Sequence, residues 1–86
     1  MAHHATARFW AGYADLSPEI RTLADKCFSL LEDNPRHPSL HMKKIGAFWS
    51  ARIGIRHRAL AVEDGKDFTW VWIGTHEEYD RLIEGS

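Results

Sequence analysis

The spacing of apolar residues changes once along the chain, from helical in the first third to alternating in the remainder. Thr6 can cap a short helix that carries Phe9, Trp10 and Tyr13 on one side. Ser17, Pro18 and Glu19 then make a strong helix start. They supply a hydroxyl to accept a free amide, a proline where no amide is needed, and an acid in the first turn. Ile20, Leu23, Ala24, Cys27, Phe28 and Leu31 follow at the spacing of one buried stripe. Pro35 ends this second helix, because its ring pushes Asn34 out of α geometry. Pro35 and Pro38 bracket Arg36 and His37 in a stiff connector.

After the connector the period becomes that of strands. "LHMKKIG" reads as an edge strand, moderately apolar and bearing lysines. Trp49, Ala51, Ile53 and Ile55 alternate with Ser50, Arg52, Gly54 and Arg56, as in a half-buried strand. "HRALAVE", the turn "DGKD" and "FTWVWIG" follow, and Asp-Gly between two apolar runs signals a hairpin. "FTWVWIG" is apolar on both faces, which places it centrally; Trp70 and Trp72 are expected to share a face beneath the helices, where Trp10 and Trp49 meet. "HEEYDRLI" closes as a short helix with Glu77 and Glu78 near its positive end. The order predicts one α+β domain over residues 1–86. An N-terminal helical hairpin packs on one face of a three- to four-stranded antiparallel sheet, a short C-terminal helix follows, and the opposite face is open and concave.

Composition narrows the class without naming a function. With 44% hydrophobic and 27% charged residues the chain is an ordinary globular one, and no apolar run approaches the ~20 residues of a membrane span. The start "MAHHATARFW" lacks the basic and apolar regions of a signal peptide, and Cys27, the only cysteine, has no partner within the chain. These features lead to the expectation of a cytoplasmic protein. The net charge of −1 offers no global argument for nucleic acid, but its distribution does. Residues 34–62 hold six cations (Arg36, Lys43, Lys44, Arg52, Arg56 and Arg58) and no acid, while the rest of the chain sets five cations against twelve acids.

Alternation places Arg52 and Arg56 opposite Trp49, Ile53 and Ile55, hence on the open face. Arg58 shares the parity of Leu60 and Val62, and Lys43 and Lys44 adjoin on the neighbouring strand. Arginine suits phosphate because its planar fork donates two parallel hydrogen bonds and stays charged. Such a face could bind a sugar–phosphate backbone or an acidic protein segment. His57, between Arg56 and Arg58, is expected to have its pKa lowered by like charge, which suits a base near neutral pH. His76 ends the last strand, and His37 and His41 flank "PSL". No metal-ligand spacing, Gly-rich phosphate loop or Ser-His-Asp set is present, so no metal and no cofactor is called for.

Three segments, "NPRHPSLHMKKIG", "FWSARIGIRHRAL" and "WVWIGTHEEYDRLI", together resemble the RelE/ParE superfamily of bacterial toxins, in particular its compact RelE-like or plasmid-stabilisation branch. The resemblance runs from about Thr6 to Ile83. It implies two helices on an antiparallel sheet, with the family's usual first strand reduced to a stub or absent. It implies the toxin of a type II toxin–antitoxin system, held silent by a cognate antitoxin. One branch acts on the ribosome as a metal-independent mRNA endonuclease, the ribose 2′-OH attacking the adjacent phosphate; the other inhibits DNA gyrase. Carried onto this sequence, the resemblance makes Arg58 the phosphate-stabilising group, with Arg52 assisting. Lys43, Lys44 and Arg56 contact the RNA backbone, His76 is the acid or base with His57 the other candidate, and Tyr79 lies near the family's C-terminal tyrosine. The overall charge departs from the strongly basic character of the ribosome-cleaving members.

Overall fold

The structure, a computed structural model, describes residues 3–34 and 36–84. A three-residue strand β1 (His3–Ala5) leads into α1 (Ala7–Ala14) and α2 (Pro18–Asp33). β2 (Lys43–Ile45), β3 (Phe48–Ile53), β4 (His57–Asp64), β5 (Asp67–Thr75) and α3 (His76–Glu84) follow. Both expected caps form. Thr6 Oγ1 accepts the Phe9 amide at 3.2 Å, and Ser17 Oγ accepts that of Ile20 at 3.4 Å with Pro18 opening the helix. Asn34 leaves helical geometry for an extended one, as expected; Pro35, to which the sequence ascribes that stop, lies outside the described residues. The connector makes one 3₁₀ turn, Pro38–Leu40, which drives Leu40 fully into the core.

The sheet has five strands in the order β1-β5-β4-β3-β2, so the expected three to four antiparallel strands are corrected to a mixed sheet. β2 to β5 form the antiparallel meander, with β2 at the edge as read. The first strand is present as a stub, pairing parallel to β5 from His3 opposite Phe68 to Ala5 opposite Trp70. His3 secures it: its ring stacks on Phe68 and Trp70, and its Nδ1 accepts the Trp70 indole N–H at 3.1 Å. Too short to show a period, this strand is held by contacts with residues more than sixty positions away.

The helical hairpin covers one face and buries the main core. Phe9 packs edge-on to Phe28, Phe28 to Trp70, and Trp49 to Phe68, all over Ala51, Ala59, Ala61 and Ile73. Burying each large side chain contributes roughly 1.5–3 kcal/mol. Two aromatic expectations are corrected. Trp10 stays 53% exposed on α1. Trp70 and Trp72 lie on opposite faces, because Ala61 pairs with Trp70 and Leu60 with Trp72, leaving Val71 as an extra residue that reverses the alternation. The far face is not fully open either, since α3 crosses it and buries Tyr79. No helix among the described residues is long and apolar enough to cross a membrane.

Candidate functional site

Strand register decides which of the sequence's candidate residues come together. Lys43 pairs with Ser50, Ser50 with Leu60, Arg52 with Arg58, and Arg58 with Gly74. Directly opposed residues share a face, so Lys43, Ser50, Arg52 and Arg58 all lie on the face away from the helical hairpin. Arg52 and Arg58 are half-buried neighbours across β3 and β4. Arg52 Nε donates to the Gly54 carbonyl at 3.0 Å, which folds its stem back over the turn. Arg58 Nη1 donates to Ser50 Oγ at 3.2 Å, and its guanidinium lies 5.1 Å from the centre of the Tyr79 ring. Arg58 Nε is buried and has no hydrogen-bond partner among the described residues. A hydroxyl and an aromatic floor hold this guanidinium in place, and its planar fork is the group that suits an anion.

The other cations separate from this group. Lys44 pairs with Trp49 on the hairpin side, with its Nζ 5.9 Å from the Trp49 ring. β3 ends at Ile53, so Arg56 and Ile55 belong to a turn that the left-handed Gly54 (φ +62°) begins, not to the alternating strand. Ile55 is 75% exposed, which corrects its assignment to the apolar face, and Arg56 is exposed beside it. The backbone carbonyl of Arg56 accepts the His76 amide at 2.6 Å, clamping this turn to the start of α3.

His57 and His76 both line a cavity of about 560 Å³ at the end of β5, together with Ile55, Arg56, Thr75 and Glu77, but their other contacts differ. His57 pairs with Ile53 and Thr75 and faces the hairpin side, where it lines a cavity of about 430 Å³ with Arg8, Asp15, Ile20 and Glu78. Its Nδ1 is buried without a hydrogen-bond partner, and its pKa is lowered by burial, partly opposed by the Glu78 carboxylate. The lowering expected from the sequence is present, but desolvation causes it rather than repulsion from the flanking arginines. As successive strand residues, His57 and Arg58 address opposite faces. His76, by contrast, sits with the basic group: its ring lies edge-on to Tyr79 at 5.9 Å, and its Nδ1 is 3.1 Å from Asp80 Oδ2. Since Tyr79 also underlies Arg58, the His76 ring and the Arg58 guanidinium are at most about 11 Å apart.

Sequence reading passed over two side chains here. Ser50 is fully buried, and its only sign in the sequence is a lone hydroxyl residue in an otherwise apolar and basic strand. Asp80 was legible, since it stands four residues beyond His76 on a helix that His76 begins. His37 and His41 stay on the connector and line a cavity with Trp49, Glu63 and Phe68; His37 Nδ1 accepts the Ser39 amide, and His41 takes a left-handed φ of 45°. Beside Arg58 the same face carries an apolar groove of about 430 Å³ lined by Ile45, Phe48, Leu60, Trp72, Leu82 and Ile83. No group of three or more metal-ligating side chains occurs among the described residues.

No protein-family model and no curated protein matches the sequence. Solved structures do match the fold. The RelB-RelE antitoxin–toxin complex from Methanococcus jannaschii aligns at a TM-score of 0.75 with 12% identity, over 92% of this chain and 96% of that one. YafQ from E. coli aligns at 0.70 with 12% identity over 90% and 94%. The RelBE2 toxin–antitoxin complex from Mycobacterium tuberculosis aligns at 0.68 with 18% identity over 87% and 96%. With the helical hairpin on one face, the meander beneath it and a lone helix across the far side, the chain has the RelE/ParE-like toxin fold.

Proposed function

We propose that the protein is the toxin of a toxin–antitoxin pair and that it cuts mRNA on the ribosome. The observation that carries this reading is the Tyr79 ring, which holds Arg58 and His76 on one basic face. Cleavage through the ribose 2′-OH needs a proton acceptor and cations for the charge that builds on the phosphate. Arg58, with Arg52 beside it, supplies that charge, and His76 moves the proton. Lys43, farther along the same face, steers the backbone. Lys44, on the hairpin side with Trp49, takes no part in this chemistry, whereas Arg56 and His57 line a cavity with His76 without lying on the strand face of Arg58.

The fold's solved neighbours include toxin–antitoxin complexes, which supports a cognate antitoxin as partner. The groove from Phe48 to Leu82 beside Arg58 would take apolar side chains of an antitoxin segment, with a carboxylate on Arg58. The test is induced expression followed by primer extension on cellular mRNA. The expected result is growth arrest with cleaved transcripts, relieved by Arg58→Ala combined with His76→Ala. Unrelieved toxicity in the double variant refutes this site. Arrest with intact mRNA and an induced DNA-damage response would identify a gyrase inhibitor instead. No growth effect at all would leave a protein that only binds its antitoxin.

A further inference from the structure

The pairing of His76 with Asp80 goes beyond the presence of a histidine near an arginine. Nδ1 of His76 lies 3.1 Å from Asp80 Oδ2, one helical turn away on α3. An ionised carboxylate only accepts, so the proton in this contact resides on Nδ1. Nε2 is then the nitrogen without a proton in the neutral ring, and no hydrogen bond to it is made among the described residues. The half-exposed ring has a second contact and its backbone an anchor. Tyr79 packs against it at an interplanar angle of 61°, and the His76 amide is tied to the Arg56 carbonyl. A second histidine–carboxylate pair among the described residues, His4 with Asp67, is 3.7 Å apart, beyond hydrogen-bond distance, and lies on β1 and β5 at the opposite end of the molecule's last strand.

We infer that Asp80 is a positioning residue, which fixes the tautomer and orientation of His76 so that Nε2 is its working nitrogen. The inference rests on the nuclease reading above for its consequence, though not for its geometry. In the cleavage step Nε2 takes the 2′-OH proton as the O2′–P bond forms and the P–O5′ bond breaks. The departing O5′ takes up a proton from solvent, the product end is a cyclic phosphate, and the imidazolium formed is stabilised by the Asp80 carboxylate. Arg58 and Arg52 hold the phosphate while this happens. An aspartate that merely paired across one helical turn would add a little helix stability and leave the ring free to choose its tautomer.

The experiment has two arms. In the first, ¹⁵N NMR of the free, full-length protein assigns the neutral tautomer of His76 in the wild type and in Asp80→Ala. The expected result is Nδ1–H in the wild type and loss of that preference in the variant. A wild-type ring protonated on Nε2, or a variant with an unchanged tautomer, overturns the inference. In the second arm, mRNA cleavage on purified ribosomes is compared for wild type, Asp80→Ala and Asp80→Glu. Asp80→Ala is expected to lower kcat about 10- to 100-fold with KM unchanged, and Asp80→Glu to recover part of it. Full kcat in Asp80→Ala overturns the role in catalysis. Wild-type protein that leaves ribosome-bound mRNA intact refutes the nuclease reading, and the tautomer measurement, which needs no substrate, still decides whether Asp80 orients the ring.

Discussion

Replacing Gly12 by alanine sets two opposed effects against each other. Gly12 lies inside α1, where alanine is favoured over glycine by about 1 kcal/mol through helix propensity alone. Propensity therefore predicts a stabilised protein. The packing predicts the reverse, because a Cβ at this position would stand 2.5 Å from the Ile73 carbonyl oxygen and 3.1 Å from its Cγ2. The carbonyl belongs to β5, an internal strand paired with β4 along this stretch, so it cannot swing aside as a side chain would. α1 must lift instead, loosening Phe9 from the core. Overpacking of this kind costs about 1–3 kcal/mol and sits at the upper end when the obstacle is backbone. The net expectation is destabilisation by about 1–2 kcal/mol, or a melting temperature lowered by about 4–16 °C in a domain of this size. Ala11→Gly, at the exposed neighbouring position, measures the propensity effect in the same helix. Thermal unfolding followed by circular dichroism reads both. A Gly12→Ala protein as stable as the wild type, or more so, would refute the close seating of α1 on β5.

Further outcomes follow from the same contacts. Ser50→Ala removes the hydroxyl that accepts from Arg58; it should cost about 1–2 kcal/mol in urea unfolding and weaken growth arrest, since Arg58 then loses one of its two supports. Trp70→Phe deletes the indole N–H that binds His3 and leaves a void, which should cost about 1–3 kcal/mol and speed hydrogen exchange at the Thr6 amide, bonded to the Trp70 carbonyl. His57 and His3 both have their pKa lowered by burial from the ordinary 6.5, so the unfolded chain takes up their protons at a higher pH than the folded one. Their contribution is complete above pH 6.5 and is lost as pH falls through the lowered values. Stability measured against pH should therefore decline on acidification in that window, and His57→Gln should flatten part of the decline.

How much of this was legible depends on how local each signal was. The helix starts at Thr6 and Ser17-Pro18 are written in side chains that act within three residues of themselves, and both formed as read. The turn after Asp64 places Gly65 at a φ of +61°, a conformation that glycine adopts freely, so the β4–β5 hairpin was readable too. The candidate site was half legible. Arg52, Arg58 and Lys43 follow from alternation once the strands are known, whereas Arg56 was misplaced because a turn ended β3 two residues before Ile55. His57 was grouped with Arg58 because they adjoin in sequence, although adjacency in a strand means opposite faces.

What the sequence determined by itself is the set of local elements and the concentration of positive charge on the meander, because capping, period and turn chemistry are decided by near neighbours. What only the tertiary structure decided is everything that depends on residues far apart in the chain. β1 exists because His3 finds Trp70 and Phe68, an event that no three-residue pattern encodes. Val71 reverses the faces of Trp70 and Trp72, and a single extra residue is visible only against its partner strand. α3 crosses the far face and sets Tyr79 against both Arg58 and His76, contacts that no local pattern in the strands encodes. The physical reason is the same in each case: alternation tells which residues share a face, and only packing tells what that face will meet.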